Sequence, residues 1–248
     1  MVQLVGILNI TPDSFSDGGD FFNSDVALMQ AERLFSDGAS LIDIGAESTR
    51  PNAVVLTDEQ EWQRLEPVLK VLLPKYPGKI SIDSYHSATI RKAWDLGPII
   101  INDVTGFNSP DMVRLVGKLK STVIISHLPT DMTIAQAHAL TPITSVNQVK
   151  NELLERARAL QNAGLKPSQI ILDPGIGFGK LSEINQQLLT FGEQVLDYKV
   201  MIGYSRKRFL GEHRMELKPN LVAGQIAIAH SAAYLRVHDV AGHRALLR

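Results

Sequence analysis

Residues 79–102, KISIDSYHSATIRKAWDLGPIIIN, predict a β-strand, a helix and a second β-strand in succession. The first apolar run ends at Asp83 and the second ends at Asn102. Between them, residues 88–96 have the spacing of an amphipathic helix. Short apolar runs that alternate with helices are typical of a parallel sheet whose faces are covered by helices.

The same alternation continues in both directions along the chain. Eight apolar runs lead to a polar residue or a glycine, and these end points are Asn9, Gly45, Asp83, Asn102, His127, Asp173, Gly203 and His238. Seven helical segments separate the runs, at residues 25–37, 58–73, 88–96, 111–119, 146–163, 182–191 and 221–233. Eight repeats in 248 residues give about 31 residues per repeat, the size of a strand and helix unit. The sequence therefore predicts one α/β domain over residues 1–248, a TIM (β/α)8 barrel, with an open doubly wound sheet as the alternative.

The segment after the last predicted strand is short. Only residues 239–248 follow the last apolar run, so we expect a short C-terminal helix that leaves one side of the barrel thinly covered. Such a surface is compatible with a partner subunit.

Composition excludes several classes of protein. Lys and Arg total 25 against 26 Asp and Glu, so no net charge favours nucleic acid or an anionic membrane surface. The absence of cysteine excludes disulfides, thiolate nucleophiles and Cys-ligated metals, which fits a reducing, cytoplasmic location. No apolar stretch has the length of a membrane helix, and the N-terminus does not have the pattern of a signal peptide.

Polar residues at the strand ends indicate a binding site. In a barrel the C-terminal ends of all strands meet at one mouth, where these residues would converge: Asn9, Asp43, Asp83, Asn102, His127, Asp173, Lys207, Arg236 and His238. Any one of them could simply end a strand by bonding loop amides, but their occurrence in register favours a site. Two carboxylates and an amide suit a flat heterocycle, and the cations of the last two strands suit phosphate.

Glycine-rich and polar loops add to this picture. Residues 173–180, DPGIGFGK, match neither a P-loop nor a G-x-G-x-x-G fingerprint, but their glycines allow close backbone approach to a ligand and Phe178 could cover an aromatic ring. The loops at residues 9–19 and 47–51 have the composition of mobile, functional loops. Metal-binding motifs for zinc are absent, whereas a hard oxygen ligand such as Asn9 suits Mg²⁺.

The chain resembles the dihydropteroate synthase family at seven segments that follow the family's order. They are residues 9–19 (NITPDSFSDGG), 43–51 (DIGAESTRP), 81–84 (SIDS), 101–103 (IND), 173–180 (DPGIGFGK), 205–207 (SRK) and 236–239 (RVHD). The resemblance implies a homodimeric, Mg²⁺-dependent TIM-barrel transferase. Such an enzyme joins p-aminobenzoate to hydroxymethyl-dihydropterin pyrophosphate and releases pyrophosphate and dihydropteroate.

The resemblance also implies roles for individual residues. The pterin would be bound by Asp83, Asn102, Asp173 and Lys207. The pyrophosphate would be bound by Asn9, Thr49, Arg236 and His238, with Asn9 also contacting Mg²⁺. The p-aminobenzoate pocket, where sulfonamides bind in the family, would contain Phe15, Thr49, Pro51, Phe178 and Ser205. We take Asp17 and Arg50 as the pair that closes the loops over the site, and these two with Lys207 as the catalytic candidates.

The chemistry implied by these roles requires no catalytic triad. Loss of pyrophosphate leaves a cation conjugated with the pterin ring, and the neutral aniline nitrogen is already nucleophilic. Departures from the family pattern occur at Ala46, Asn52, residues 127–129 and Arg208. Two alternatives remain at this point: a pterin-dependent methyltransferase, and a non-catalytic pterin-binding paralogue of the same fold.

Overall fold

The computed structural model describes residues 1–11, 24–47, 55–129 and 143–247 of the chain. Its strands form one closed barrel in which every strand is parallel to its neighbours, in the order β1 to β8. The eight strands are β1 (Gln3–Asn9), β2 (Leu41–Gly45), β3 (Ile80–Asp83), β4 (Ile100–Asp103), β5 (Val123–Ser126), β6 (Ile170–Asp173), β7 (Lys199–Ile202) and β8 (Tyr234–Val237). The barrel closes where β8 pairs with β1, with Gln3 opposite Tyr234 and Val5 opposite Arg236. The TIM barrel prediction is confirmed, and the open sheet is excluded by this pairing.

Helices cover the outside of the barrel. Those in the described part of the chain are α1 (Ser24–Ser36), α2 (Asp58–Lys75), α3 (Ser87–Leu96), α4 (Pro110–Leu119), α5 (Val146–Asn162), α6 (Ser182–Gln187), α7 (Leu217–Ala229) and α8 (Val240–His243). Local capping explains several helix starts. The Thr57 hydroxyl accepts from the backbone N–H of Gln60 at the start of α2, and the Ser145 hydroxyl accepts from the N–H of Gln148 at the start of α5.

Two helices differ from their predicted bounds by more than two residues. The segment predicted as one helix at 182–191 is α6 followed by a 3₁₀ helix, Leu188–Gln194. Within it, an added Cβ on Gly192 would lie 2.4 Å from the carbonyl oxygen of His230, so close backbone packing shapes this stretch. Helix α7 begins at Leu217, four residues before the predicted start, because Pro219 lies in the first turn where no N–H is needed. The short C-terminal helix is confirmed as α8 and a 3₁₀ turn, Arg244–Leu247.

The barrel interior is closed by a layer of side chains below the mouth. This layer is a cluster separate from the main core between strands and helices, and it contains Val5, Leu41, Ile124, Ile171, Met201 and Tyr234. Because side chains alternate along a strand, residues two and four positions further on also point inward. The pattern of this layer therefore decides which residues at the strand ends face the mouth. None of the described helices is long and apolar enough to cross a membrane.

Candidate active site

A cavity of about 690 Å³ lies at the C-terminal mouth of the barrel. Its polar lining brings together most of the predicted site residues: Asn9, Asp83, Asn102, Asp173, Ser205, Lys207, Arg236 and His238, with Phe178 on its wall. Strand alternation explains this convergence. Asp173 follows the interior residue Ile171 by two positions, and Arg236 follows Tyr234 by two, so both side chains point up into the mouth.

A connected polar network forms the floor of the cavity. The Arg236 guanidinium donates from Nε to Asp43 Oδ2 at 2.6 Å and from Nη2 to Asp83 Oδ2 at 2.9 Å. Asn102 Nδ2 donates to the same Asp43 oxygen at 3.0 Å, and Ser126 Oγ donates to Asn102 Oδ1 at 3.3 Å. Five strands, β2 to β5 and β8, are tied together in this way. Asp43, to which the sequence assigns no individual role, is the centre of the network.

Burial and neighbouring charges shift the pKa values of the charged side chains in the floor. Desolvation, and then the neighbouring Asp43, raise the pKa of Asp83 to about 7, although Arg236 acts in the opposite direction. Desolvation also raises the pKa of Asp173, against the hydrogen bond from the Gly175 N–H. Burial lowers the pKa of Arg236, but Asp43 and Asp83 outweigh it and the net shift is upward. Asp83 can therefore change charge near neutral pH, while Arg236 stays a cation.

Lys207 and Phe178 form the wall beside this floor. The Lys207 ammonium lies 4.4 Å from the centroid of the Phe178 ring, a cation–π contact. Burial, and then the charge of Arg236, lower the pKa of Lys207 to about 8. An added Cβ on Gly177 would lie 3.0 Å from Lys207 Cδ, and its φ of +88° is the left-handed region that glycine favours. The glycine-rich loop thus packs directly on the lysine side chain.

Ser205 and His238 lie in contact with each other. The Ser205 hydroxyl accepts from the backbone N–H of His238 at 3.3 Å and lies 3.0 Å from His238 Nδ1. The two residues were predicted to belong to different subsites, for p-aminobenzoate and pyrophosphate. Their contact brings these two residues together after the ends of β7 and β8.

Arg206 is a lining residue that the sequence reasoning did not single out. Its φ of +61° is rare for a side chain of this type, and its backbone N–H donates to Asn220 Oδ1 at 2.9 Å. Asn220 is buried and also donates to the carbonyls of Arg214 and Glu216. Its position between Ser205 and Lys207, both predicted site residues, is the feature of the sequence that could have indicated it. Arg208 is exposed, as Arg206 is, but it does not belong to the cavity lining.

His127 does not take the position expected from the sequence. Its side chain is fully buried and Nε2 lies 3.0 Å from Glu152 Oε2 of α5, outside the cavity lining. Burial lowers its pKa to about 4. The reason is the alternation on β5, because Ile124 and Ser126 point inward and the next residue therefore points outward. The prediction that the His127 side chain lies at the mouth with the other strand-end residues was therefore wrong.

Five predicted site residues lie outside the described residues: Phe15, Asp17, Thr49, Arg50 and Pro51.

Glu47 and Val55 are the described residues on either side of segment 48–54. Glu47 lines the cavity, and its carboxylate accepts from the backbone N–H of Leu56 at 2.8 Å and from the Tyr85 hydroxyl at 2.7 Å. Glu47 therefore connects the end of β2 to Leu56 and to Tyr85, which follows β3.

The residues around Asn9 fit a magnesium ion that has few protein ligands. Asn9 ends β1 on the cavity lining, and its amide oxygen is a hard ligand. Among the described residues there is no group of three or more His, Cys, Asp or Glu that could hold a metal. Mg²⁺ prefers one or two protein oxygens together with water and substrate phosphate, so this donor set is compatible with it.

Comparison with known proteins agrees with this geometry. The sequence model of the family described as "Pterin binding enzyme" matches residues 5–238. The dihydropteroate synthase of Haemophilus influenzae is 36% identical over 253 residues, covering 99% of this chain and 92% of that protein. Two solved structures are also similar. The Xanthomonas albilineans dihydropteroate synthase with 4-aminobenzoic acid has a TM-score of 0.89 and 35% identity, over 99% of this chain and 90% of that one.

The second is the Burkholderia cenocepacia dihydropteroate synthase complexed with 7,8-dihydropteroate, with a TM-score of 0.86 and 33% identity, over 100% of this chain and 89% of that one. Identity at this level over nearly the whole length, together with the shared barrel, shows the family. The chain therefore belongs to the dihydropteroate synthases, transferases among the pterin-binding enzymes.

Proposed function

We propose that the cavity at the barrel mouth joins p-aminobenzoate to hydroxymethyl-dihydropterin pyrophosphate, with the pterin on the floor and the pyrophosphate beside the last two strands. The observation that carries this proposal is the convergence of acidic Asp83 and Asp173 with cationic Lys207 and Arg236 in one cavity. The first pair suits a ring with N–H donors, and the second suits a phosphate leaving group. The similarity to a synthase complexed with 7,8-dihydropteroate supports the same pair of ligands here.

The pterin subsite is proposed to consist of Asp83, Asn102, Asp173 and Lys207. One carboxylate oxygen of Asp83 accepts from Arg236, and one of Asp173 accepts from the Gly175 N–H. Each carboxylate therefore has a second oxygen that could accept from a ligand N–H. A flat ring would lie across these groups, with its edge recognised by both carboxylates. Because burial favours the neutral form of Asp83, ligand N–H groups would favour its ionised form on binding.

The pyrophosphate subsite is proposed to contain Asn9, Thr49, Arg236 and His238. Arg236 is already bonded to two carboxylates through Nε and Nη2, so it would meet phosphate through its remaining N–H groups. His238 would add a donor beside it. Mg²⁺, held by Asn9 and by the phosphate oxygens, would neutralise charge on the leaving group when it is bound.

The chemical step is proposed to be SN1-like. The carbon–oxygen bond to pyrophosphate breaks with its electron pair on oxygen, leaving a cation on the pterin methylene. The aniline nitrogen then donates its lone pair to that carbon and loses a proton to solvent. The carboxylates of the floor stabilise the cation, and Lys207 and Arg236 stabilise the departing anion.

The p-aminobenzoate subsite is proposed to include Phe178 and Ser205, together with Phe15, Thr49 and Pro51. Asp17 and Arg50 are proposed to close the loops over the site, which would keep water from capturing the cation. The described part of the site supports this arrangement through Glu47, which lines the cavity and bonds to Leu56 and Tyr85.

The proposal is tested by incubating the purified protein with dihydropterin pyrophosphate, p-aminobenzoate and Mg²⁺, with and without a sulfonamide. We expect equal amounts of pyrophosphate and dihydropteroate, and suppression by the drug. Lys207→Ala and Arg236→Ala should each abolish turnover, whereas Lys118→Ala, at an exposed cation of α4, should not. Pterin binding without product would indicate the non-catalytic paralogue, and methyl transfer from a reduced folate would indicate the methyltransferase.

We also propose that residues 1–248 act as one cytoplasmic domain and that the chain forms a homodimer through α7. This helix exposes the apolar side chains Leu217, Val222 and Ile226, and Val222 and Ile226 lie one turn apart on one face. Val222→Glu should shift the sedimentation coefficient to that of a monomer. Leu196→Glu, at an exposed apolar residue after the 3₁₀ helix Leu188–Gln194, should leave it unchanged. A monomeric parent protein would refute the dimer.

A further inference from the structure

Lys180 is a buried cation at the end of the glycine-rich loop, and the reaction described above does not use it. Its relative exposure is 4%. Its Nζ donates to the carbonyl oxygens of Gly175 at 2.9 Å, Phe178 at 2.9 Å and His127 at 3.3 Å. The three N–H bonds of the ammonium thus have three backbone acceptors.

These contacts connect two loops at the barrel mouth. Gly175 and Phe178 belong to the loop after β6, and His127 follows β5. Asn185 of α6 holds the same loop from its other side, because Oδ1 accepts from the Gly177 N–H at 2.8 Å and Nδ2 donates to the Lys180 carbonyl at 3.1 Å. The loop is therefore held by two side chains that do not line the cavity.

The loop needs such support because its backbone is unusual. Gly175, Gly177 and Gly179 have φ values of +64°, +88° and +58°. Glycine reaches this region without steric cost, but it loses more conformational freedom on folding than any other residue. Without contacts from neighbouring side chains, three such glycines within five residues would sample many conformations.

Keeping a cation in this position has an energetic cost. Burial lowers the pKa of Lys180 to about 7. The charged groups around it act in both directions: Asp173 and Glu152 favour the ammonium, while Lys207 and Arg156 disfavour it. Its direct hydrogen-bond partners are backbone carbonyl oxygens, so the ammonium stabilises the backbone of the two loops.

We propose that Lys180 is a positioning residue for the condensation, acting through Phe178: its ammonium fixes the glycine-rich loop so that the Phe178 ring stays against the Lys207 side chain. The role in condensation rests on the proposed function. The ring centroid is 4.4 Å from the Lys207 ammonium, and Gly177 packs on the same side chain. Asp83 and Asn102 are held by their own bonds to Arg236 and Asp43, outside this loop. Of the proposed pterin ligands, only Asp173, through the Gly175 N–H, and Lys207, through Phe178, contact the loop that Lys180 holds.

The first test measures the loop without any substrate. In Lys180→Met, which keeps the length of the side chain and removes the charge, amide hydrogen exchange of residues 174–181 should become about tenfold faster or more. Exchange of residues 80–103, which include β3 and β4, should stay unchanged. Lys180→Gln, which retains two N–H donors, should fall between the parent and Lys180→Met, and it replaces Lys180→Met if that variant does not fold. Unchanged exchange at 174–181 in the variant measured would overturn the proposal.

The second test separates positioning from a direct effect of charge. Lys180→Met should raise the KM for p-aminobenzoate roughly tenfold and lower kcat, because a small displacement of binding groups has effects of this order. The affinity for 6-hydroxymethylpterin, measured by calorimetry, should change less than this KM, because Asp83 and Asn102 are held outside the loop. Asn185→Leu, which loosens the same loop without changing charge, should reproduce this pattern. A raised KM for the pterin pyrophosphate in Lys180→Met, with Asn185→Leu like the parent, would indicate direct electrostatics and refute positioning.

A double-mutant cycle tests the path through the aromatic ring. If Lys180 acts through Phe178, then Lys180→Met should have little further effect on the KM for p-aminobenzoate in a Phe178→Ala background. Fully additive effects would contradict the proposal. A parent protein without synthase activity would refute the proposed function, whereas the exchange measurement would still decide whether Lys180 holds the loop.

Discussion

Replacing Asp83 by asparagine should stabilise the ligand-free protein at alkaline pH while it disables the site. The folded-state pKa of Asp83 is about 7, raised from 3.8 chiefly by burial and Asp43. For an acid whose pKa rises on folding, the contribution to stability is fully present below the unfolded pKa and is lost as pH rises through the folded pKa. The ionised carboxylate therefore opposes folding above about pH 7.

The size of the effect follows from the same values. The difference between 3.8 and about 7 corresponds to about 4 kcal/mol at 1.36 kcal/mol per pKa unit. Because 22% of the Asp83 side chain is exposed, water screens part of this, and we expect about 2 kcal/mol. For a chain of this length, that raises the Tm of Asp83→Asn by roughly 4–8 °C at pH 8. At pH 5, where only part of the cost has developed, the gain should be about a third as large.

The assay is thermal unfolding of parent and variant at pH 5 and pH 8, together with the rate of dihydropteroate formation. Asp83→Asn should lower kcat/KM roughly 100-fold or more, because an amide presents a donor where the ligand needs an acceptor. Asp103→Asn is a matched control. Burial raises its pKa to about 6, but its carboxylate accepts from Thr105 N and Oγ1 and from Phe107 N, so it should lose about 1–3 kcal/mol at both pH values.

Two outcomes would refute the reasoning about Asp83. One is a variant that is less stable than the parent at pH 8. The other is a Tm difference that is the same at pH 5 and pH 8, since this would mean that the carboxylate carries no cost that depends on its ionisation.

Three further predictions concern the groups around the floor. Arg236→Met leaves the buried Asp43 and the partly buried Asp83 without their cation and should cost about 3–5 kcal/mol at pH 8 and clearly less at pH 5, measured by urea denaturation; equal costs would contradict the ion-pair account. Tyr85→Phe removes only the hydroxyl that donates to Glu47 and should cost about 1 kcal/mol in thermal unfolding, with a raised KM for p-aminobenzoate; an unchanged KM would show that this anchor does not reach the site. Asn220→Ala removes the acceptor of the Arg206 backbone N–H and should raise the KM for p-aminobenzoate at least severalfold in steady-state assays. Kinetics like those of the parent would show that the position of Arg206 does not affect the site.

The strands and their polar end residues were predictable because both are local properties. An apolar run such as Ile170–Asp173 reveals a buried strand, and parallel strands place their C-terminal ends at one mouth. The bounds of α6 were less accurate because Gly192, just after it, packs against a distant turn, a tertiary effect that neighbouring residues do not encode. The start of α7 was encoded locally by Pro219, which is tolerated in a first turn, but this signal was not used.

The direction of a side chain was the harder question. His127 and Asp173 both follow apolar runs, but one contacts Glu152 and the other lines the cavity. The difference depends on which residues of the strand fill the interior layer, and on β5 these are Ile124 and Ser126. A shift of one residue exchanges the two faces, so the position of a polar residue after a strand does not determine its environment.

By itself, the sequence determined the eightfold alternation, the set of polar residues at the strand ends and the resemblance to a pterin-binding family. Only the tertiary structure decided that Arg236 is shared between Asp43 and Asp83, and that Lys180 holds two loops through backbone carbonyls. The physical reason is distance along the chain. Periodicity and burial of a strand are encoded by residues within a few positions, whereas Arg236 and Asp43 are 193 positions apart and meet only because the barrel closes.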